Sequence, residues 1–143
     1  MIAIDTNLLI YAHRRRVPEH HDARAAIERA ARAPGGWGIA APSVAEFWSI
    51  VTHPAADGRP STLEEASSFI RALVDEAGAR LWRPGPGFAD RMMQVAADLS
   101  VSGARIFDLQ IALTAFDNGA VEIWTHDRNF TTVPGLAVEL PIQ

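Results

Sequence analysis

The chain begins with MIAIDTN (residues 1–7), and this stretch decides how the rest of the sequence is interpreted. A short apolar run ends abruptly at Asp5, which Thr6 and Asn7 follow. This is the pattern of a buried strand with a helix N-terminus just beyond it. In open α/β sheets, ligands bind in the crevice outside the carboxyl ends of the strands. Asp5 is therefore expected where a ligand would lie.

Strand-like and helix-like patterns alternate from this first strand to the end of the chain. Strands are predicted at residues 1–5, 37–41, 81–82, 121–125 and 136–140, and helices at 7–16, 19–32, 43–52, 61–78, 88–99 and 104–116. Such alternation is typical of a parallel sheet covered by helices on both faces. With 143 residues and no internal repeat or linker, the chain is expected to form one α/β domain over residues 1–143.

The composition excludes several classes of protein. Hydrophobic residues make up 48% of the chain, which argues against disorder. No apolar stretch approaches the ~18–20 residues of a membrane span. Without a charged leader or any cysteine, we expect a cytoplasmic protein that has no secretion signal, disulfide or thiol metal site. All 13 basic residues are arginine, and the missing lysine excludes a phosphate-binding loop of the Gly-Lys-Ser/Thr type.

Three further acids stand in local sequences that do not favour a carboxylate. Glu46 opens a predicted helix, where it could also complete a capping box with Ser43. Asp108 lies within a strongly apolar helix, where Arg105 could neutralise it in a salt bridge. Asp127 follows a strand, where it could simply cap the residues after it. Each acid therefore has a structural explanation beside a functional one.

A metal-dependent nuclease is the functional explanation that unites the four acids. Hydrolysis of a phosphodiester requires a nucleophilic water near an anionic phosphorus and stabilisation of the leaving oxygen, and divalent ions supply both. Mg²⁺ and Mn²⁺ prefer carboxylate oxygens and retain several waters, so a few acids suffice. Clustered carboxylates repel one another until a cation arrives. We interpret Asp5, Glu46, Asp108 and Asp127 as catalytic residues and as ligands of Mg²⁺ or Mn²⁺.

The net charge does not contradict a nucleic-acid substrate. The formal charge is −4, whereas proteins that bind nucleic acid generally neutralise phosphates with basic residues. Leaving out the four acids of the interpreted site leaves 13 acidic residues against 13 arginines. The rest of the protein is then formally neutral, and two divalent cations would cancel the charge of the site.

The order of these motifs resembles that of the PIN-domain ribonucleases, and among them the VapC toxins of type II toxin–antitoxin pairs. The motifs are Ile4-Asp5-Thr6-Asn7, Ser43-Val44-Ala45-Glu46-Phe47, Asp108-Leu109-Gln110-Ile111-Ala112 and Thr125-His126-Asp127-Arg128-Asn129-Phe130, with Val51-Thr52-His53-Pro54 and Pro60-Ser61-Thr62 typical of one VapC subgroup. The resemblance covers essentially the whole chain. It implies a three-layer α/β/α sandwich and a Mg²⁺- or Mn²⁺-dependent endoribonuclease that acts on tRNA or ribosomal RNA.

The resemblance also implies roles for individual residues and partners. Asp5, Glu46, Asp108 and Asp127 match the family's acidic quartet, and Thr6, Asn7 and Thr125 match its polar supporting positions. A homodimer is implied, together with a VapB-like antitoxin that lays a helix into an apolar groove. Phe47, Trp48 and Phe69 are the residues we consider for that groove.

Arginines and histidines outside the quartet receive separate interpretations. Arg14, Arg15 and Arg16 end a predicted helix, where they either complement its dipole or contact RNA phosphates, and Arg105 is a further phosphate contact. His126 stands within the last motif but is not interpreted as a metal ligand.

Three other functions compete with a toxin ribonuclease. Response-regulator receiver domains and haloacid-dehalogenase-type phosphatases also gather acids around Mg²⁺, but the absence of lysine, and of an Asp-x-Asp motif, disfavours both. A housekeeping PIN nuclease acting on other RNA or on DNA remains open from the sequence.

Overall fold

Five strands and six helices make up the computed structural model, which describes residues 1–56 and 58–142. The strands are β1 (Ile2–Ile4), β2 (Trp37–Ala40), β3 (Arg80–Trp82), β4 (Glu122–Trp124) and β5 (Ala137–Glu139). The helices are α1 (Thr6–His13), α2 (His20–Ala31), α3 (Ala41–Val51), α4 (Leu63–Asp75), α5 (Phe88–Asp98) and α6 (Arg105–Asp117). None of these helices is long and apolar enough to cross a membrane.

The strands form one parallel sheet in the order β3-β2-β1-β4-β5. The first strand is therefore central: Ile2 pairs with Trp37 of β2 on one side and with Glu122 of β4 on the other. Because the strands are parallel, the carboxyl ends of β1, β2 and β4 meet at one edge of the sheet. The predicted parallel α/β sheet is confirmed.

Helices cover both faces of the sheet and enclose two hydrophobic cores. Ile4 and Ile39 face a core shared with α1, α2, α3 and α4. Ala3 and Ile123 face a second core, to which α5 and α6 contribute. Successive residues of β1 thus point to opposite faces, as the period of two in a strand requires. The three-layer α/β/α sandwich implied by the resemblance is confirmed.

The helix that follows the first strand begins earlier and ends earlier than predicted. Asp5 is the N-cap of α1, since its carboxylate accepts the Thr6 backbone N–H, so the helix starts at Thr6 and not at Asn7. It ends at His13, and Arg14 already has extended backbone angles. The arginine run therefore follows the helix, and only Arg14 is its C-cap.

The capping box that the sequence allowed between Ser43 and Glu46, as the alternative to a functional role, does not form. Helix α3 starts at Ala41, directly after β2, and its N-cap is Ala40, which has no capping side chain. Pro42, whose fixed φ suits a first helical turn, stands there without cost to the helix hydrogen bonds. Ser43 therefore lies inside the helix and is completely buried. Glu46 takes no part in capping the helix.

Candidate functional site

The topology brings the four predicted acids to the same edge of the sheet. Asp5 follows β1, Asp127 follows β4 after two residues, and Glu46 lies in the second turn of the helix that follows β2. Asp108 lies in the first turn of α6, the helix that leads into β4. A helix that returns the chain to a parallel strand must begin beyond the carboxyl edge, so Asp108 joins the others there.

Asp5 is the most buried of the four acids. Its side chain is only 5% exposed, at the boundary between the central strand and α1. Oδ1 accepts the Thr6 backbone N–H at 2.7 Å, and Oδ2 accepts the Thr125 hydroxyl at 2.7 Å and the Asn7 side-chain amide at 3.3 Å. Burial raises the pKa of Asp5 from 3.8 to about 6, although the hydrogen bonds from Thr125 and Thr6 lower it, and the charges of Asp108 and Glu46 add to the rise.

Thr125 and Asn7 form a polar network that ties the ends of β1 and β4 together. The Thr125 hydroxyl, which donates to Asp5, accepts the Asn7 side-chain amide at 3.0 Å and the Asp127 backbone N–H at 3.1 Å. Asn7 Oδ1 in turn accepts the backbone N–H of His126 at 3.1 Å. The structure thus brings together Asp5, Asn7 and Thr125 and fixes the backbone on which Asp127 stands.

Asp108 is half-buried and does not form the salt bridge that the sequence allowed. Its Oδ2 accepts the Thr131 backbone N–H at 3.2 Å. Arg105 instead donates its Nε to the Thr131 hydroxyl at 3.1 Å, and among the residues that the structure describes it makes no ion pair with Asp108. Burial raises the pKa of Asp108, with the charges of Asp127 and Glu46 acting in the same direction.

Asp127 is exposed and stabilises a turn. Its Oδ1 accepts the Asn129 backbone N–H at 2.8 Å, and its carbonyl accepts the Phe130 N–H. This turn leads to no helix, so the predicted capping role applies to a turn only. Oδ2 makes no hydrogen bond within the described part of the chain, so it is accessible to a ligand.

Glu46 lines a cleft between α3 and α6 of about 410 Å³. Pro42 and Ala45 form one wall of this cleft, and Phe107, Gln110 and Ile111 form the other. Gln110 was not identified from the sequence, although a polar residue within an apolar helix was a usable signal.

Ser43, one turn before Glu46, and Thr6 each bury a hydroxyl oxygen that has no hydrogen-bond partner among the described residues.

The four carboxylates suit a divalent cation through the chemistry of their oxygens. Each of Asp5 and Asp108 has a pKa raised partly by other acids of the quartet, so the four groups act on one another electrostatically. Within residues 1–56 and 58–142, no three acidic or histidine side chains form a ready metal cage. Mg²⁺ keeps several of its waters in protein sites, so water would have to complete the coordination of an ion held by these acids.

The predicted phosphate-contacting arginines differ in their surroundings. Arg14 donates Nη1 to the Arg59 carbonyl at 2.7 Å and Nη2 to the Val51 carbonyl at 2.9 Å. These bonds tie the end of α1 to the end of α3 and occupy the Arg14 guanidinium. Arg15 and Arg16 are exposed, with no side-chain hydrogen bond in the described part of the chain.

The three apolar residues considered for a helix-binding groove have different fates. Phe47 is completely buried and stacks on Phe69 at 5.4 Å, so including it in a groove was wrong. Phe69 lines a groove of about 1210 Å³ between α2 and α4, together with Ile27, Leu73 and a rim of arginines. Trp48 is 36% exposed and lies outside this groove.

Comparison with known proteins relates this sequence and fold to one family. The family model of the PIN domain matches residues 2–136. Ribonuclease VapC43 of Mycobacterium tuberculosis is 32% identical over 130 residues, which cover 91% of this chain and 88% of that protein.

Two solved structures share the fold. One is VapC20 of Mycobacterium tuberculosis, described as a sarcin-ricin-loop-cleaving toxin. Its alignment has a TM-score of 0.67 and 12% sequence identity, and it covers 91% of this chain and 92% of the VapC20 chain. Another is VapBC2 from Rickettsia felis bound to a promoter DNA fragment. Its alignment has a TM-score of 0.61 and 16% sequence identity, and it covers 97% of this chain and 98% of the aligned VapBC2 chain. Because the PIN model matches nearly the whole chain and a VapC ribonuclease is 32% identical to it, this chain belongs to the PIN-domain family.

Proposed function

We propose that this protein is a Mg²⁺- or Mn²⁺-dependent endoribonuclease and the toxin of a toxin–antitoxin pair. The observation that carries the proposal is the position of Asp5, buried at the carboxyl end of the central strand, where the charges of Asp108 and Glu46 act on it. A buried carboxylate that repels neighbouring carboxylates is costly in a metal-free protein and favourable beside a cation. The names of the relatives, all VapC ribonucleases, support the same activity.

We assign Asp5, Glu46, Asp108 and Asp127 to the metal. Divalent metal would lower the pKa of a bound water and stabilise charge on the phosphate in the transition state. Asn7 and Thr125 hold the Asp5 carboxylate and the Asp127 backbone in fixed positions. Thr131 holds Asp108 through its backbone N–H, which leaves Asp108 Oδ1 accessible. The protein would thus hold carboxylate oxygens in place for a cation, and the cation would face the phosphate.

The RNA backbone would be contacted by exposed arginines. Arg15 and Arg16 lie beyond the end of α1, the helix whose first residue follows Asp5. Arg105 lies on the first turn of α6, one turn before Asp108, and its guanidinium reaches Thr131 by one nitrogen only. We assign these three residues to phosphate contacts, while Arg14 has a mainly structural role.

A VapB-like antitoxin is the partner that this function requires, and we place both proteins in the cytoplasm. The groove lined by Phe69 and Leu73 offers apolar side chains against which an amphipathic helix of the antitoxin would pack. The structural relative VapBC2 from Rickettsia felis, whose name joins VapB and VapC, supports a partner of this kind. We also propose a homodimer, for which the exposed aromatic side chains of Trp48 and Phe107 provide apolar surface.

The first experiment is cleavage of mixed cellular RNA by the purified protein with Mg²⁺, with Mn²⁺ or with a chelator. Discrete metal-dependent fragments are expected from the wild-type chain and not from Asp5→Asn or Asp108→Asn. Asp98→Asn, an exposed acid on α5 away from the site, is the matched control and should cleave like the wild type. Full turnover by both site variants would refute the assignment.

A second arm tests the alternatives. If the protein binds Mg²⁺ but cleaves no RNA, incubation with a small phosphodonor and mass analysis of Asp5 would reveal a phosphoacceptor module. If DNA is cleaved at the same rate as RNA, a housekeeping nuclease is favoured over a toxin. A reading frame for a VapB-like protein beside the gene would favour the toxin.

A further inference from the structure

One aromatic pair lies next to the acidic site without a role in it. The rings of Tyr11 and His126 make an edge-to-face contact, with their centroids 5.7 Å apart and their planes at 83°. Both side chains are partly exposed. Neither makes a side-chain hydrogen bond among the residues that the structure describes, so no such bond competes with a ligand for their polar atoms.

The pair is fixed relative to the acids by the polar network already described. Tyr11 stands four residues after Asn7 on α1, so the two side chains lie on the same side of that helix. Asn7 binds the Asp5 carboxylate with its amide nitrogen and the His126 backbone N–H with its oxygen. His126 itself stands between Thr125 and Asp127, and His20 donates Nδ1 to the Tyr11 carbonyl at 2.9 Å. The aromatic rings therefore have a defined position beside the site.

We propose that Tyr11 and His126 form a stacking site for a nucleobase of the RNA substrate, next to the phosphate that is cleaved. The proposal rests on the proposed ribonuclease function. Sequence-tolerant recognition of single strands uses aromatic side chains on which bases stack, together with basic residues that follow the backbone. Here Asp5, Tyr11 and then Arg15 with Arg16 occur in that order from the start of α1 to the residues beyond its end, and His126 packs beside Tyr11.

Stacking would address a requirement that the metal chemistry leaves unmet. A divalent ion activates water toward any accessible phosphodiester, so it does not decide which nucleotide is placed at the acids. A flat surface beside the site holds one base outside the RNA stack and thereby positions the adjoining phosphate. Unpaired nucleotides in loops offer such bases, whereas bases within a helix do not. We therefore expect the substrate to be a single-stranded segment or a loop.

The test measures binding of two fluorescent 12-mers, one of oligoadenosine and one in which every base is removed. Asp108→Asn is used as the background so that Mg²⁺ can be present without hydrolysis. Adding Tyr11→Ala or His126→Ala is expected to weaken binding of the oligoadenosine by about fivefold or more and to leave the abasic strand unchanged. His126→Ala keeps the backbone N–H that Asn7 accepts, so it removes the ring alone.

Two controls separate stacking from a loss of structure. Tyr11→Phe keeps the ring and should bind like the parent, and His21→Ala removes an exposed histidine of α2 that is not in the pair. Equal weakening for both strands, or no weakening in either alanine variant, would overturn the stacking site while leaving the ribonuclease proposal intact. If the parent binds neither strand and the wild type cleaves no RNA, both proposals fail together.

Discussion

Thr125 donates its hydroxyl hydrogen to Asp5 Oδ2 at 2.7 Å, joining two residues that lie 120 positions apart in the chain. The same hydroxyl oxygen accepts the Asn7 amide and the Asp127 backbone N–H. One small side chain therefore holds the ends of the two neighbouring strands β1 and β4 in register with each other. A metal site on these ends would depend on that register, since the groups that bind a metal must be held to fractions of an ångström.

Replacing Thr125 by alanine should impair both the site and the fold. The change removes the donor to Asp5 and leaves the Asp127 N–H and one Asn7 proton without an acceptor, which costs about 1–3 kcal/mol of unfolding free energy. Cleavage of RNA should fall by roughly 10- to 100-fold because the carboxylates lose their fixed positions. Thr125→Ser keeps the hydroxyl and should restore both properties, as measured by denaturant unfolding and initial cleavage rates.

Thr114→Ala is the matched control for this prediction. Thr114 is as deeply buried as Thr125, but its hydroxyl donates to the Gln110 carbonyl of its own helix. Its replacement should lower stability and leave the cleavage rate of the folded protein unchanged. If Thr114→Ala reduces cleavage as much as Thr125→Ala, loss of stability explains both results and the network has no special role.

The raised pKa of Asp5 predicts an unusual pH dependence of stability in the metal-free protein. The folded protein retains the Asp5 proton up to a pH of about 6, whereas the unfolded chain loses it near 3.8. This contribution to stability is therefore complete below pH 3.8 and is lost as the pH rises through about 6. From pH 4 to pH 7 in chelator, wild type should lose about 2–3 kcal/mol relative to Asp5→Asn.

Comparison of the two proteins removes other titrations from the measurement. Burial lowers the pKa of His13, so protonation of His13 destabilises the folded protein as the pH falls below the ordinary histidine pKa of 6.5. This effect cancels in the comparison because His13 is present in both proteins. Mg²⁺ at pH 7 should raise the melting temperature of the wild type and have little effect on Asp5→Asn. Parallel pH curves for the two proteins would contradict the burial of an Asp5 carboxylate that titrates near 6.

The sequence predicted the fold because its local patterns and its global architecture agree. Apolar runs such as residues 1–4 can only be buried on both faces, which demands a parallel sheet with two helical layers. The predicted element bounds differ from the structure mainly where a cap decides them. Ser43 is a good N-cap residue by type, yet α3 begins two residues earlier because Pro42 suits its first turn.

The site was only partly predictable for a related physical reason. Asp5 and Asp108 could be selected as candidates from the sequence because apolar residues surround each of them, and a carboxylate is unfavourable there. The partner of Arg105 could not be read in this way, because Thr131 lies 26 residues along the chain in an irregular segment. The contact of Tyr11 with His126 depends likewise on how α1 crosses the end of β4, which no local pattern records.

Gly38 tests the packing of the sheet independently of the site. A Cβ atom at this position of β2 would lie 2.6 Å from Trp82 Cζ2 and 2.8 Å from the Arg80 carbonyl oxygen. The carbonyl belongs to the neighbouring strand β3 and cannot move without breaking the ladder. Gly38→Ala should therefore lower the unfolding free energy by about 2–3 kcal/mol or more. Gly85→Ala, where nothing lies within 4 Å, should change it by less than about 1 kcal/mol.

The arginine run provides a prediction that separates structure from RNA binding. Arg14 holds the Val51 and Arg59 carbonyls, so Arg14→Ala should lower the unfolding free energy by about 1 kcal/mol. Arg15→Ala and Arg16→Ala should leave stability within about 0.5 kcal/mol of the wild type. Each should instead weaken RNA binding and reduce the slope of log affinity against log salt by about 0.7.

Fluorescence anisotropy with a labelled single strand at several salt concentrations measures that slope. Arg71→Ala, an exposed arginine on α4, is the control and should alter neither stability nor the slope. The loss of stability should therefore occur in Arg14→Ala, and the loss of RNA affinity in Arg15→Ala and Arg16→Ala. The reason is that, of the three arginines, Arg14 is the one whose guanidinium is hydrogen-bonded to backbone carbonyls. An Arg14→Ala variant that keeps full stability but loses RNA affinity would reverse the roles, and slopes unchanged in Arg15→Ala and Arg16→Ala would remove both from the RNA path.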